Sequence, residues 1–277
     1  MKWRCSNRSF DLSAHGEIMG IVNVTPDSFS DGGKFEEASA GIARGLQLLE
    51  EGAAIIDIGG ESTRPGADDV AAKEEIRRVI PVIEGILKEA PEACLSIDTS
   101  KALVARTAID SGAAILNDVT GFRDPEMIQI AAKTEVGVAV MHMQGVPRTM
   151  QSAPLYENVV ADICSFFEER HSTLVAAGIN SEAIVYDPGI GFGKNQDHNL
   201  TLLRHLDRLA VSNRPLLLGV SRKSFIGKIL KSDAIEERRW PTVAITAHAT
   251  SLGVPLHRVH EVKPNLEAMR MTEAIMS

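Results

Sequence analysis

The stretch EEASAGIARGLQLLEEGAAIIDIG, residues 36–59, contains one repeat of the pattern that decides the fold. Its first part places Ile42, Leu46 and Leu49 on one stripe of an amphipathic helix, and its last part is a short apolar run typical of a buried strand. Runs of both kinds alternate along the chain, with strong helical patterns at residues 71–90 and 159–178. The predicted strands cover residues 18–24, 53–59, 94–98, 113–118, 137–142, 183–187, 216–220 and 257–262.

These strand segments are continuous apolar runs rather than alternating ones, as expected for a parallel sheet with both faces buried. Eight strand–helix units in about 250 residues are typical of an α/β protein of the (β/α)8 TIM-barrel type. A doubly wound open sheet is the alternative. No linker-like segment interrupts the units, so residues 1–277 are predicted to form a single domain, with residues 1–16 covering the barrel floor.

The composition narrows the class of function. The chain has 277 residues, 44% of them hydrophobic, and a net charge of -8, which argues against binding to nucleic acid or to a membrane surface. Its start lacks the apolar region of a secretory signal, and no run approaches the roughly 20 apolar residues of a membrane span. Cys5, Cys94 and Cys164 are far apart, which argues against a disulfide framework and favours the cytoplasm.

Polar residues follow nearly every predicted strand. In a barrel, the carboxyl ends of the strands form one face, and active sites are built there. Such residues also cap the helices that follow them, so capping is the alternative interpretation of Asp118 and Asp124. The number of polar strand ends on one rim favours a site. These residues are Asn23, Asp57, Asp98, Asn117, Asp118, His142, Asp187, Arg258 and His260.

Asp98, Asn117 and Asp187 end three different predicted strands. Carboxylates and an amide that face an apolar barrel mouth need partners, because an unpaired buried charge is costly. They would suit a flat heterocycle that carries an amino group and ring N–H donors. The alternative is an internal network with Lys or Arg.

The loops after the last two strands are rich in cations. They supply Arg222 and Lys223 in GVSRKS, and Arg258 and His260 in RVHEV. Loops in these positions are the usual phosphate site of the barrel. Ser224 lies at the start of a predicted helix, where free N–H groups also favour an anion. We therefore expect a phosphate-containing ligand at this side of the mouth.

The segment DPGIGFGKN, residues 187–195, is neither a Walker A loop nor a dinucleotide fingerprint. We interpret its glycines as backbone room beside a ligand and Phe192 as a wall of the site. His142 is isolated and is interpreted as structural. Because no His or Cys spacing suits zinc, a metal would be a hard cation with few protein ligands, such as Mg2+.

The chain contains GIVNVTPDSFSDGG, IDIGGESTRPGA, SIDTSK, ILNDVTG, MHMQGVPRTMQ, DPGIGFGK, GVSRKSFIG and RVHEV, in this order. This ordered set covers nearly the whole chain and resembles the dihydropteroate synthase family of pterin-binding enzymes. Glu261 departs from the family form R-V-H-D-V but keeps the charge. The resemblance implies a transferase that joins 6-hydroxymethyl-7,8-dihydropterin diphosphate to 4-aminobenzoate, releasing diphosphate and forming 7,8-dihydropteroate in folate synthesis.

The resemblance also implies binding residues for the pterin and the metal. Asp98, Asn117, Asp187 and Lys223 match the pterin-binding positions, and Asn23 matches the Mg2+ ligand. The same likeness implies a homodimer. Sulfonamides are expected to compete with 4-aminobenzoate.

Thr63, Arg64, Arg258 and His260 match the contacts to the diphosphate. Since no covalent nucleophile with an adjacent base is evident, we expect dissociative loss of diphosphate followed by attack of the arylamine. Catalysis is therefore assigned to groups that stabilise the leaving charge and the pterin cation. These groups are Arg64, Lys223, Arg258 and His260.

Phe192, Pro65 and Ser224 match the surroundings of the aminobenzoate. The loop at residues 23–33 is interpreted as an active-site cover, with Phe29 as an apolar lid over the aminobenzoate ring. We expect this loop to be disordered or displaced when no ligand is bound.

Two other functions remain open. One is the pterin-binding module of a methyltetrahydrofolate-using, cobalamin-dependent methyltransferase, although the anion loops ESTRPGA and SRKS argue against it. The other is a paralogue that binds pterin without catalysis.

Overall fold

Eight parallel strands form the centre of the computed structural model, which describes residues 1–25, 34–62, 69–145 and 149–277. Two short strands precede them. The strands are β1 Lys2–Cys5, β2 Arg8–Asp11, β3 Glu17–Asn23, β4 Ile55–Gly59, β5 Leu95–Asp98, β6 Ile115–Asp118, β7 Gly137–Met141, β8 Ile184–Asp187, β9 Leu217–Leu218 and β10 Leu256–Val259. The α-helices of the described ranges are α1 Lys34–Glu50, α2 Ala72–Glu89, α3 Ala102–Asp110, α4 Pro125–Thr134, α5 Val159–Ala176, α6 Gln196–Arg204, α7 Ser224–Leu230, α8 Arg239–Ser251 and α9 Val262–Met276.

The central sheet closes on itself. Its order is β8-β7-β6-β5-β4-β3-β10-β9, and each neighbouring pair is parallel. The two ends of this order meet at Tyr186, which bridges Leu216 and donates its N–H to the carbonyl of Pro215 at 3.1 Å. The predicted (β/α)8 barrel is therefore confirmed, and the doubly wound open sheet is wrong.

Side chains alternate between the barrel interior and the helix layer along each strand. On β3, Met19 belongs to the interior cluster, whereas Ile18 and Val22 belong to the cluster between the sheet and the helices. Ile55 and Ile56 divide in the same way on β4. Both faces of each strand are buried, which explains why the strand segments read as continuous apolar runs.

The N-terminal hairpin of β1 and β2 closes the lower end of the barrel. Trp3 is fully buried, and its Nε1 donates to the carbonyl of Ala183 at 2.9 Å. Cys5 lies so close to Gly137 that a Cβ on this glycine would be 2.5 Å from the cysteine sulfur. Because Trp3 and Cys5 pack on the lowest interior layer of the barrel, the predicted floor cover is confirmed.

The segments around β9 and β10 differ from their predicted bounds. β9 spans only Leu217–Leu218, so the predicted strand over 216–220 is too long; Pro215, which has no N–H to donate, lies two residues before it. β10 ends at Val259, and Glu261 is the residue before α9, so the predicted strand over 257–262 is too long. No helix within the described ranges has the length and apolar character needed to cross a bilayer.

Candidate active site at the barrel mouth

The upper interior positions of the strands carry polar side chains. Asp57 lies two residues above Ile55 on β4, and Arg258 lies two residues above Leu256 on β10, so each continues an interior row. Strand register pairs Asp98 with Asn117 and Met141 with Asp187. The barrel thus brings together side chains that are far apart in the sequence. The convergent polar residues are Asp57, Asp98, Asn117, Asp187 and Arg258.

Arg258 joins two carboxylates across the mouth. Its Nε donates to Oδ2 of Asp57 at 2.6 Å, and its Nη2 donates to Oδ2 of Asp98 at 2.7 Å. Oδ2 of Asp57 also accepts from Nδ2 of Asn117 at 3.1 Å. No donor of the described residues reaches the other, buried oxygen of Asp57. The internal network left open by the sequence therefore exists for Asp98 and Asn117, with Arg258 and Asp57 as partners.

Asp98, Asp187 and Lys223 are among the ionisable groups of this mouth that have shifted pKa values. Burial raises the pKa of Asp98 to about 7, although Arg258 favours its ionised form. Burial also raises the pKa of Asp187, against the hydrogen bond that its Oδ1 accepts from Gly189 N–H at 2.7 Å. Burial and then Arg258 lower the pKa of Lys223 to about 8, while Asp187 opposes this change. Groups poised near neutral pH are common at functional sites.

An apolar cluster lies beside these charges. Phe192 is buried, and Nζ of Lys223 lies 4.0 Å from the centre of its ring. A cation over an aromatic face is attracted by the ring's electron density. Phe192 therefore lies at the mouth, and its role as a wall of the site stays a prediction. The remaining members of its cluster are Val119, Met141, Met143 and Met150.

The glycines after β8 serve the protein backbone. Gly189, Gly191 and Gly193 all have positive φ, at 65°, 85° and 60°. A Cβ on Gly189 would lie 2.0 Å from the carbonyl oxygen of His142, and one on Gly193 would lie 2.5 Å from that of Gln144. Our interpretation of these two as ligand room is therefore wrong. Only Gly191 borders the site, since its Cβ would lie 3.4 Å from Cδ of Lys223.

The cationic residues in the loops after β9 and β10 have partners within these loops. His260 approaches Ser221, whose Oγ is 2.9 Å from Nδ1 of the imidazole and accepts from the His260 N–H at 3.1 Å. Arg222 is ion-paired with Glu261, the residue that departs from the family form. Ser224 is the first residue of α7, as predicted. Because Glu261 neutralises Arg222, the local positive charge is smaller than the sequence indicated.

Asn23 ends β3 and pairs in register with Gly59. Its half-buried side chain is an oxygen donor of the kind that Mg2+ accepts. Within the described ranges, no group of three or more His, Cys, Asp or Glu side chains could hold a metal ion. The assignment of Asn23 as a Mg2+ ligand therefore stays a prediction.

Two other carboxylates accept hydrogen bonds from backbone N–H groups. Asp118 accepts from the N–H groups of Thr120 and Phe122, both at 2.8 Å, and so stabilises the turn after β6. Asp124 precedes α4 and accepts from the N–H of Glu126. The capping interpretation is therefore confirmed for Asp124, whereas Asp118 binds the turn before α4 and does not cap that helix.

His142 has a structural environment. Its Nδ1 lies 3.0 Å from Nζ of the buried Lys194, and its ring meets Phe166 edge to face. Burial lowers the pKa of His142 to about 2, so the imidazole is neutral at physiological pH.

Asp57 and Lys194 were not assigned a role from the sequence. The position of Asp57 on an interior row could have indicated its role, since it lies one row above Ile55 and two residues before the strand end. Lys194 gives no such signal, because a lysine in a polar loop is usually exposed.

Several predicted site residues lie outside the described residues. Thr63, Arg64 and Pro65 belong to the β4–α2 connection, and Phe29 belongs to the predicted cover at 23–33. The expected behaviour of that cover therefore stays a prediction.

Comparison with known proteins gives a consistent family. A family model described as pterin binding enzyme matches residues 19–260. The dihydropteroate synthase of Escherichia coli K12 is 45% identical over 277 residues, covering 100% of this chain and 97% of that relative. A solved structure of Xanthomonas albilineans dihydropteroate synthase with 4-aminobenzoic acid has a TM-score of 0.93 at 43% identity and covers 100% of this chain and 98% of its own. The Xanthomonas albilineans enzyme in complex with 7,8-dihydropteroate has a TM-score of 0.90 at 40% identity, with 100% and 99% covered.

The chain therefore belongs to the pterin-binding enzyme family, since both the family model and the relatives span most of its length. Its polar barrel mouth agrees with that class. Within the family it is a member of the dihydropteroate synthases, because its relatives of that name align from end to end. The family resemblance is thus confirmed, and the synthase is favoured over the methyltransferase module.

Proposed function

We propose that the chain condenses 6-hydroxymethyl-7,8-dihydropterin diphosphate with 4-aminobenzoate, releasing diphosphate and forming 7,8-dihydropteroate. The observation that carries this function is one barrel mouth with both signs of charge: the acids Asp98 and Asp187, and the cations Lys223 and Arg258. A pterin that bears a diphosphate needs acceptors at its aminopyrimidinone edge and cations at its other end. The mouth offers both side by side.

Pterin binding would use the acids and the amide. Asp98, Asn117 and Asp187 would accept from the amino group and ring N–H donors of the pterin. In the structure, Arg258 occupies one oxygen of Asp98 at 2.7 Å. We propose that the pterin replaces this bond, and that the released guanidinium turns toward the diphosphate. Such an exchange keeps the desolvated carboxylate paired before and after binding, which avoids the cost of an isolated charge.

Diphosphate binding would use Lys223, Arg258 and His260, together with Thr63 and Arg64. Charge-assisted hydrogen bonds of this kind are typically worth about 1.5–3 kcal/mol each. Asn23 would hold Mg2+, which would neutralise part of the charge on the phosphate oxygens.

The aminobenzoate would bind beside Phe192, with Ser224 near its carboxylate and with Phe29 and Pro65 on its other side. The free N–H groups and partial positive charge at a helix start suit a carboxylate. Sulfonamides carry the same aniline ring and an anionic group at the opposite end, so they would compete at this position.

The reaction would be dissociative. The bond between the exocyclic methylene and the diphosphate oxygen breaks, and its electron pair leaves on the diphosphate. The dihydropterin ring shares the resulting positive charge, which Asp98 and Asp187 are positioned to favour. The arylamine nitrogen then forms the new C–N bond with its lone pair and releases a proton.

The assembly and location are further parts of this proposal. A homodimer is supported by exposed apolar side chains on α8 and α9, because Trp240, Met271 and Ile275 are 66%, 64% and 73% exposed. A cytoplasmic location is supported by the free state of all three cysteines. Light scattering of the purified protein and cell fractionation test these two statements.

The deciding experiment is an assay for diphosphate release from the purified protein, run with and without 4-aminobenzoate. A synthase releases diphosphate in proportion to dihydropteroate formed. A methyltransferase module or a non-catalytic pterin binder would bind the pterin without producing dihydropteroate, and that result would overturn the proposal. Exchange of labelled diphosphate into the substrate, measured without aminobenzoate, tests the dissociative path.

A further inference from the structure

Lys194 is a buried lysine behind Phe192 at the barrel mouth. Its side chain is only 2% exposed. Its Nζ lies 2.9 Å from the carbonyl oxygen of Phe192 and 3.0 Å from that of Gly189, and it lies 3.0 Å from Nδ1 of His142. The carbonyl oxygen of His142 is slightly farther away, at 3.3 Å. A lysine is rarely buried this deeply, so its position calls for a specific role.

The surroundings match an ammonium group. A protonated lysine has three N–H donors, one for each of the three nearest acceptor atoms, provided that Nδ1 of His142 carries no proton. Burial lowers the pKa of Lys194 to about 7, whereas Asp187 raises it. Two of the acceptors belong to the turn after β8, and the third follows β7. Lys194 therefore ties the ends of two neighbouring barrel strands together.

The turn held by Lys194 carries Phe192. Both backbone groups of Phe192 are hydrogen-bonded. Its N–H donates to the Gly189 carbonyl at 3.0 Å, and its carbonyl accepts from Nζ of Lys194. The other side of the same residue faces the site, where the ring lies under Nζ of Lys223. A shift of the turn would move the ring together with its backbone.

We propose that Lys194 is a positioning residue that holds Phe192 as the wall against the 4-aminobenzoate ring, and so sets the affinity for arylamines and their sulfonamide analogues. This inference rests on the proposed synthase function. The hydrogen bonds of Lys194 go to the turn and to His142, and not to Asp98, Asn117 or Asp187, which would bind the pterin. Lys194 holds the carbonyl of Phe192 itself, but it reaches Asp187 only through Gly189, whose N–H donates to that carboxylate. Its loss should therefore affect the arylamine much more than the pterin.

Arg214 provides a matched control at the opposite end of the barrel. It is also a buried cation bound to backbone carbonyls, since Nε donates to Ile184 at 3.1 Å and Nη2 donates to Glu182 at 3.0 Å and also to Lys2. If Lys194 had a purely structural role, replacing Lys194 and replacing Arg214 would have equivalent effects on the enzyme. If Lys194 positions Phe192, the two replacements would differ in their effect on the KM for 4-aminobenzoate.

The test compares Lys194→Met and Arg214→Met, which both remove a buried cation and keep an unbranched side chain. For Lys194→Met we expect the KM for 4-aminobenzoate to rise on the order of 10-fold, with the KM for the pterin diphosphate and kcat changing less than about threefold. For Arg214→Met we expect neither KM to change, whatever the loss of stability. Equal effects of Lys194→Met on both KM values, or equal behaviour of the two variants, would overturn the proposal.

Amide hydrogen exchange gives a second measurement that does not depend on turnover. Lys194→Met should speed exchange at the amide of Gly189, which donates to Oδ1 of Asp187, and at the amide of Phe192, which donates to the Gly189 carbonyl, whereas Arg214→Met should not. Unchanged exchange in Lys194→Met overturns the positioning role. Faster exchange with an unchanged KM for aminobenzoate overturns the link to the arylamine. Absence of dihydropteroate formation by the unmodified protein is a separate result, which rejects the synthase function itself.

Discussion

The floor and the mouth of the barrel are built by the same strands, two residues apart. At the floor, the interior row consists of apolar side chains such as Met19, Ile55 and Leu256, closed by Trp3. At the mouth, the next row contains Asp57 and Arg258, and their neighbours are also charged or polar. One interior row is thus a packed apolar core, and the next row along the same strands is a site with buried ions.

The difference separates stability from function. Apolar burial at the floor stabilises the fold without needing a charged partner, by about 25 cal/mol per Å2 of apolar surface removed from water. Buried charges at the mouth roughly balance their desolvation only while each has a partner. The mouth is therefore stable in one arrangement and can exchange partners when a ligand supplies equivalent hydrogen bonds.

The largest expected effect is at the mouth, for Arg258→Ala. This change leaves Asp57 and Asp98 without their cation, and breaking a buried ion pair typically costs about 3–5 kcal/mol of unfolding free energy. Turnover should fall on the order of 10²–10³-fold as well, because a charge-stabilising donor is lost. Denaturant titration and diphosphate release measure the two quantities. Arg258→Lys is the control, since it keeps a charge that cannot bridge both carboxylates. Unchanged turnover in Arg258→Ala would contradict the assigned role.

At the floor, Trp3→Ala should cost about 3–5 kcal/mol of unfolding free energy, because it empties a fully buried site. Turnover measured below the melting temperature should stay close to that of the unmodified protein. Leu155→Ala is the control, since this leucine is 81% exposed and its loss should change stability by less than about 0.5 kcal/mol. A loss of turnover in folded Trp3→Ala would break the separation between floor and mouth.

The sequence predicts the barrel better than it predicts the contacts at the mouth. Continuous apolar runs and amphipathic helices depend on local periodicity, so α2 at Ala72–Glu89 differs from its predicted range by one residue at each end. Asp98, Asn117 and Asp187 were likewise identified from their positions at strand ends. The periodicity of apolar residues involves only residues that are close in the sequence, so it can be recognised in a single sequence.

The pairings depend on distant parts of the chain. Arg258 meets Asp57 because β3 lies between β4 and β10 in the closed sheet, and no local pattern specifies that arrangement. The burial of Lys194 has the same origin, since its acceptors come from the ends of β7 and β8. Arg222 was expected to bind an anion, but Glu261 of the next loop neutralises it.

Gly178 and Gly189 both have positive φ, and their alanine variants should lose an intermediate amount of unfolding free energy. Gly178 follows α5, and no atom lies within 4 Å of the position that a Cβ on this residue would take, so Gly178→Ala should cost only the backbone strain of about 1–2 kcal/mol. Gly189→Ala adds a clash with the carbonyl of His142, for which a further cost of about 1–3 kcal/mol is typical. Denaturant titration of the two variants measures the difference. Equal costs would mean that the turn after β8 can shift without resistance.

The ionisation of Asp98 makes the stability of the mouth depend on pH. Its pKa is about 7 in the folded protein, whereas that of an unfolded aspartate is about 3.9. Between these values the folded carboxyl keeps a proton that the unfolded carboxyl releases, so this group makes the unfolding free energy fall as pH rises from about 4 to about 7. Above pH 7 both forms are ionised and the contribution is constant.

Asp98→Asn removes this titration while keeping a side chain of the same shape. The unfolding free energy of the variant minus that of the unmodified protein should therefore increase from about pH 4 to about pH 7 and then level off. Groups that do not interact with Asp98, such as the buried and neutral His142, cancel in this difference. A difference that is flat over this range would mean that Arg258 holds Asp98 fully ionised in the folded state. The exchange of Arg258 for a pterin would then have to proceed against a stronger ion pair than the shifted pKa of Asp98 indicates.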